Sequence, residues 1–234
     1  MEVSNDILRI RKKTPCFDHK ARYLQKMMYN VHLIECKRSN QLYQEIRSRH
    51  YVKNNGAVGQ QIHYLIYVDK ELVGIISGGS AAYAVACRDD YFGITKDNRR
   101  IALNGIIDNT VFRLEKNLPN LGTQILATWR RRIANDWFVR YGVKPCGFET
   151  FIVEESYRKG SMYKADNWDF VGETSGSTKF HLHGVEKKFE RIETGKKLVY
   201  CKRIKGVQLP TEYFATWNRP NVMKNQISLF DGGI

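Results

Sequence analysis

Glu149 stands in the middle of the apolar run GFETFIV, residues 147–153. An unpaired carboxylate in such a strand costs several kcal/mol, so it must be paired or bound to a metal. Strand alternation puts Phe148 and Thr150 on one face, with Glu149 and Phe151 on the other. His50-Tyr51 closes a short helical stretch just before a glycine-bearing turn. A histidine there is either a satisfied packing residue or a ligand and proton carrier. Tyr163 lies in RKGSMYKADNW, close to Asn167 and Trp168. Aromatic walls beside an amide edge suit a pocket for an extruded base, whereas the competing reading places Trp168 in the core. Leu121-Gly122-Thr123 opens a helix, where free N–H groups and the dipole favour an anion. Thr123 adds a hydroxyl donor, and Arg113 and Lys116 flank the turn. A plain helix cap explains the same residues. Arg158 and Lys159 follow the Glu149 strand in a basic loop, suited to phosphate contact or to solvation alone.

The elements that must hold these groups read as a mixture of helix and strand. SNQLYQEIRSRHY (39–51) is a short helix, with Leu42, Tyr43, Ile46 and His50 near one face. QQIHYLIYV (60–68) and ELVGIISGGSAAY (71–83) are strands of one hairpin turning at Asp69-Lys70. The small residues of SGGSAAY allow a ligand or another backbone to approach closely. IALNGIIDNTVFRL (101–114) reads as a further strand broken by polar residues. Leu121, Ile125, Trp129, Ile133 and Trp137 then recur every fourth residue, the stripe of a long helix packed on a sheet. Strand PCGFETFIV (145–153), a short helix at 160–167, strand-like WDFVGETSG (168–176) and strand KKLVYCKRI (196–204) complete the order. Arg130, Arg131 and Arg132 fan around the long helix and read as a mostly solvated face.

The chain has 234 residues, with 38 Lys and Arg against 24 Asp and Glu, a formal charge of +14. Such an excess favours a polyanion, with nucleic acid first among the candidates. No apolar run reaches the roughly 20 residues needed to span a bilayer, and the N-terminal residues are too polar for a signal peptide. Five scattered cysteines without a C-x-x-C pair argue against a zinc ribbon and point to a reducing, cytoplasmic setting. The organisation expected is a basic lead-in over 1–38, a domain over 39–210 and a polar tail over 211–234.

This order of hairpin, strand, phosphate-like turn, long helix, strand, short helix and NWDFVGET resembles the GCN5-related N-acetyltransferase (GNAT) fold, an α+β architecture with a mostly antiparallel central sheet. In that fold the turn before the long helix binds the pyrophosphate of coenzyme A. The resemblance therefore implies a coenzyme A-type donor held at Arg113, Lys116, Leu121, Gly122 and Thr123, although only Gly122 survives of the usual glycine-rich signature. GQQIHYLIYVDKELVGIISGGSAAY, DNTVFRLEKNLPNLGTQIL and YGVKPCGFETFIVEESYRKGSMYKADNWDFVGET resemble the DruA-like family over about residues 45–180. The early His-Tyr pair is also similar to the Mom-like family of phage DNA-modification proteins. That likeness implies adenine modification on the exocyclic amine of duplex DNA, protecting it from restriction. It further implies an iron centre of His50, Tyr51, Glu149 and Tyr163, oxygen-rich as a hard redox-active ion prefers. Under this reading Arg158, Lys159, Asn167 and Trp168 meet the DNA. A non-catalytic DNA-binding or sensing module, and an acyl-coenzyme A-dependent N-acetyltransferase, stand as alternatives.

The tail holds Gln226-Ile227-Ser228-Leu229-Phe230, similar to the peptides by which bacterial proteins dock on the DNA-polymerase sliding clamp. Leu229 and Phe230 would fill an apolar pocket while Gln226 bonds at its edge; folding back onto this chain's own core is the other reading.

Overall fold

A computed structural model describes residues 28–52, 59–155, 159–181, 189–193 and 195–211. The Arg158 and Gln226, Leu229, Phe230 expectations lie outside these residues.

Among the described residues, seven strands form one sheet in the order β1-β2-β3-β4-β5-β9-β6. They are β1 Val31–Cys36, β2 Gln61–Val68, β3 Glu71–Ser80, β4 Ile106–Leu114, β5 Gly147–Val153, β6 Asp169–Glu173 and β9 Lys197–Arg203. A separate hairpin pairs β7 Ser177–His181 with β8 Phe189–Glu193. The helices are α1 Gln41–Ser48, α2 Ala86–Phe92, α3 Arg99–Ala102, α4 Leu121–Tyr141 and α5 Ser161–Ala165. The α+β class expected from the sequence is the architecture found, mostly antiparallel with β4 and β5 the parallel pair.

β2 and β3 turn at Asp69 and Lys70, both with positive φ (49° and 72°), the backbone a two-residue hairpin needs to match strand twist. α4 buries Leu121, Ile125, Leu126, Trp129, Ile133 and Trp137, and ends at Gly142 in the left-handed conformation. Full burial of such side chains contributes about 1.5–3 kcal/mol each, which fixes this helix on one sheet face against Ile62, Tyr64, Ile66 and Ile76. Alternation sends Leu65 and Ile75 to the opposite face, where Tyr43 and Ile46 of α1 cover them. α2 and α3 cover the neighbouring part of that second face through Phe92 and Ala102, packed with Val199 and Cys201.

Two sequence expectations change. The lead-in contains β1, which pairs with β2 along its whole length and so belongs to the domain. Residues 99–105 are helical rather than strand, and the strand begins at Ile106. The small residues of SGGSAAY do admit a close neighbour: a Cβ on Gly78 would lie 2.1 Å from Ile133 Cδ1, so the glycine lets α4 approach the sheet.

Candidate functional site

β4 and β5 pair over only three positions, Ile106↔Gly147, Ile107↔Phe148 and Asp108↔Glu149. Beyond them the strands part, and between them opens a cleft of about 420 Å³. Asp108, Asn109, Thr150, His50, Tyr51 and Tyr163 all line it. Elements far apart in sequence thus bring three of the four expected centre residues, His50, Tyr51 and Tyr163, to one place.

His50 sits just past the end of α1, 6% exposed, with its ring 4.6 Å from that of Tyr51. Its Nδ1 lies 3.2 Å from both the N–H and the carbonyl oxygen of Val52, so the main chain there fixes the ring. Tyr163 donates to Asn109 Oδ1 at 2.7 Å. Burial, with the Tyr51 hydroxyl and Asp108 nearby, pushes its pKa upward and keeps it a phenol. Asn109 in turn donates to the main chain of Ser77 and Val111, so its amide is held in one orientation.

Glu149 does not join them. It projects to the second sheet face, as alternation requires, and is fully buried. Its Oε1 accepts from the Ala82 N–H at 2.8 Å and its Oε2 from Arg88, which is itself wholly buried on α2. Arg88 also bonds Asp89 Oδ1 at 2.7 Å and the Ala82 carbonyl at 2.5 Å, and Arg99 bonds Asp89 Oδ2 at 2.9 Å. The strand carboxylate is therefore paired, the first of the two options its burial left. With Glu149 engaged at both oxygens outside the cleft, the His50, Tyr51, Glu149 and Tyr163 set does not fit an iron centre. No cluster of three or more His, Cys, Asp or Glu suited to a metal occurs among the described residues.

The acid that does face the cleft is Asp108, one of the residues lining it and the cross-strand neighbour of Glu149. Its Oδ1 is buried without a hydrogen-bond partner. Burial and the adjacent Glu149 push its pKa well above the usual carboxylate value, with Arg88 and Lys197 pulling the other way. Burial raises Glu149 as well, against the pull of Arg88. Burial thus pushes both neighbouring acids toward the protonated form, and the cleft-facing member is where a substrate can take or give a proton. Sequence reasoning passed over Asp108 because it sits among polar residues that read merely as interruptions of a strand. An aspartate and an asparagine directly after Ile-Ile were the available signal. Nothing in ACRDDYF marks Arg88 as a core cation.

The remaining expected residues disperse. Leu121 is fully buried in the core, so only its backbone borders the helix start. A Cβ on Gly122 would lie 2.3 Å from Met162 Sδ, so the lack of a side chain there serves the α4–α5 contact. Asn120 gives no side-chain cap, which leaves the main chain of Gly122 and Thr123 as the anion-favouring part. Arg113 lines the cleft but is engaged by Glu115 at 2.6 Å and the Arg49 carbonyl at 2.5 Å. Lys116 pairs with Glu71 at 2.5 Å. Both flanking cations thus have carboxylate partners, Glu115 being shared with Arg49. Lys159 lines the cleft mouth. Asn167 is exposed in a left-handed turn (φ 57°), and its carbonyl accepts from Lys202 at 2.7 Å. Trp168 is 3% exposed, packs on Phe148 and Tyr163, and donates to Asp166 at 2.8 Å; it is a core residue and no wall of a base pocket. Arg130, read as solvated, grips Asp166 with two bonds of 2.7 Å. No helix among the described residues is long and apolar enough to cross a membrane.

The sequence profile of the family described as Druantia protein DruA matches residues 13–203. No curated protein matches the chain. Among solved structures, Arabidopsis thaliana NAA60 in complex with acetyl-CoA is 13% identical, covers 75% of this chain and 99% of its own, and superposes with a TM-score of 0.46. The aminoglycoside acetyltransferase AAC(6')-Ib in complex with coenzyme A is 12% identical over 75% of this chain and 95% of its own, at 0.43. The Campylobacter jejuni N-acetyltransferase PseH is 8% identical over 74% and 97%, at 0.40.

Proposed function

The chain belongs to the DruA family, and from that premise we propose that it is a group-transfer enzyme whose cleft between β4 and β5 modifies the exocyclic amine of adenine in duplex DNA. The observation that carries the reading is Asp108: a carboxyl with one oxygen buried and unpartnered, in a cleft large enough for a base. An amine attacks a donor carbon only as it loses a proton, and a carboxylate of raised pKa is a base suited to accept one near neutral pH. In this scheme the amine nitrogen forms its bond to the donor carbon, the donor's leaving group departs with the bonding pair, and the amine proton passes to Asp108. Glu149 and Arg88 hold Asp108 at the required proton affinity from behind. Tyr51, 39% exposed at the cleft, offers a ring on which a base can stack, and Asn109 and Thr150 line the polar wall. The net charge of +14 favours a polyanionic acceptor over a cationic one.

A second reading, an acyl-coenzyme A-dependent N-acetyltransferase, is favoured by the uncapped start of α4, where the main chain of Gly122 and Thr123 would hold a phosphate-bearing donor. Coenzyme A would supply the acyl thioester there. The two readings share Asp108 as base and differ in the acceptor.

Nucleoside mass spectrometry of plasmid DNA recovered from cells expressing the protein tests the reading. An adduct on deoxyadenosine is expected with the native chain, and a loss of about 10²–10⁴-fold in its rate of formation with Asp108→Asn. Unmodified DNA alongside an acetylated protein or small amine would move the assignment to the second reading. Salt-sensitive DNA binding with no product of either kind would leave a non-catalytic DNA-binding module. Delivery to replicating DNA through Gln226, Leu229 and Phe230 belongs to the same proposal, and a pull-down with the bacterial clamp, native chain against Leu229→Ala/Phe230→Ala, decides it.

A further inference from the structure

Three cations line the cleft among the described residues: Arg113, Lys159 and Lys197. Arg113 is bonded by Glu115 and the Arg49 carbonyl. Lys159 stands directly before Gly160 and α5, and its carbonyl accepts from the Tyr200 hydroxyl at 2.8 Å, which ties it to the α4 side of the sheet. Lys197 belongs to the other side. On β9, Leu198 and Tyr200 pack in the core under α4, whereas Val199 and Cys201 pack under α2, so alternation sends Lys197 to the α2 side. On β4, Ile107 packs with α4 and Ile106 with α2, which sends Asp108 the same way. Lys197 and Asp108 therefore share one sheet face where β4 and β5 have parted.

The main chain of Lys197 is fixed on both flanks. It pairs with Val153 at the end of β5, its N–H donates to Thr174 Oγ1 at 3.0 Å, and its carbonyl accepts from the Thr174 N–H at 2.9 Å. Its ammonium has no ion pair or hydrogen bond among the described residues. The carboxylates nearby are taken, Glu149 by Arg88 and Glu173 by Lys196 at 3.5 Å. Asp108 feels the charge of Lys197, yet burial and Glu149 keep it toward the protonated form, and a neutral carboxyl is no counter-ion. A partly buried lysine on a rigid strand beside a cleft, without a counter-ion, is a point charge placed for an anion, and phosphate is one that lysine binds in that way.

We propose that Lys197 is the phosphate anchor of the cleft: it binds the phosphate of the acceptor nucleotide whose base reaches Asp108, so that the site selects a nucleotide over a bare nucleoside. Asp108 is level with Glu149 and Lys197 with Val153, positions about 13 Å apart along the strand. A base set against Asp108 thus has room to leave its sugar and phosphate toward Lys197. The inference rests on the nucleic-acid reading of the cleft.

Chemical-shift titrations with deoxyadenosine and with deoxyadenosine monophosphate read the contribution of the phosphate directly. The native chain should bind the nucleotide about tenfold or more tightly than the nucleoside. Lys197→Gln should remove that preference and Lys197→Arg should keep most of it. Lys144→Gln, an equal charge loss before the opposite end of β5, should leave it intact. No preference in the native chain, the same preference in Lys197→Gln, or an equal loss in Lys144→Gln overturns the anchor. Coenzyme A is the second probe: weaker binding of it by Lys197→Gln would give the cation to the donor and overturn the assignment to the acceptor. If the preference depends on Lys197 while the native chain leaves plasmid DNA unmodified, the anchor stands and the amine-transfer reading falls. An adduct on deoxyadenosine in plasmid DNA without any preference for the nucleotide leaves that reading standing and the anchor overturned.

Discussion

Asp108 and Glu149 face each other across the parallel strand pair, yet their surroundings separate their roles. Glu149 is held by Arg88 and the Ala82 N–H on the closed side of the sheet. Asp108 has an oxygen without a partner where the strands part. Its stability contribution has a definite sign. An acid whose folded pKa is raised binds an extra proton only in the fold, between the unfolded value near 3.8 and the higher folded one. Stability linked to it is therefore fully present below that window and is lost as pH rises through it. Asp108→Asn should accordingly unfold at a higher denaturant midpoint than the native chain at neutral pH, with the difference closing toward pH 4. A gap that stays constant with pH would mean that Asp108 ionises normally.

At the scale of elements, α4 and α5 are locked by two devices. Gly122 lets Met162 approach the first turn of α4, and Asp166 takes both Arg130 and the Trp168 indole. Gly122→Ala puts a methyl group into the thioether and should cost about 1–3 kcal/mol in denaturant unfolding. Met162→Ala in the same chain should recover part of it; no recovery would place the strain in the backbone. Asp166→Ala strands a part-buried guanidinium and a buried indole N–H. A loss of about 3–5 kcal/mol is expected by the same measurement, and one below 1 kcal/mol would mean that water replaces the carboxylate.

For the whole molecule the excess of cations is the governing quantity. If six or more phosphates are neutralised on binding, affinity for duplex DNA should fall at least about 10³-fold between 50 and 200 mM salt. Flat dependence over that range, measured by anisotropy or filter retention, would remove DNA from the list of partners. The charge is distributed unevenly. Arg88 and Arg130 are absorbed by buried carboxylates, and Arg38 and Arg131 are examples that stay outward. Net charge read from composition therefore overstates what a ligand meets.

Periodicity alone located the β2–β3 hairpin, α4, β5 and β9, because each has a strong repeat of 2 or near 3.6 residues and clear turn residues at its ends. Family resemblance, and not periodicity, picked out His50, Tyr51 and Tyr163, all three of which line the cleft. β1 was missed within a basic, weakly patterned stretch, since an edge strand with one solvated face carries little apolar signal. The exchange of Asp108 for Glu149 needed tertiary structure. A charged residue in an apolar strand announces that it must be satisfied, and nothing in its neighbours along the chain says by whom. Arg88 lies 61 residues away and reaches Glu149 only because α2 covers that sheet face. The point where β4 and β5 stop pairing is likewise a property of the sheet and not of either strand, and it is this parting that makes Asp108 the acid facing the cleft.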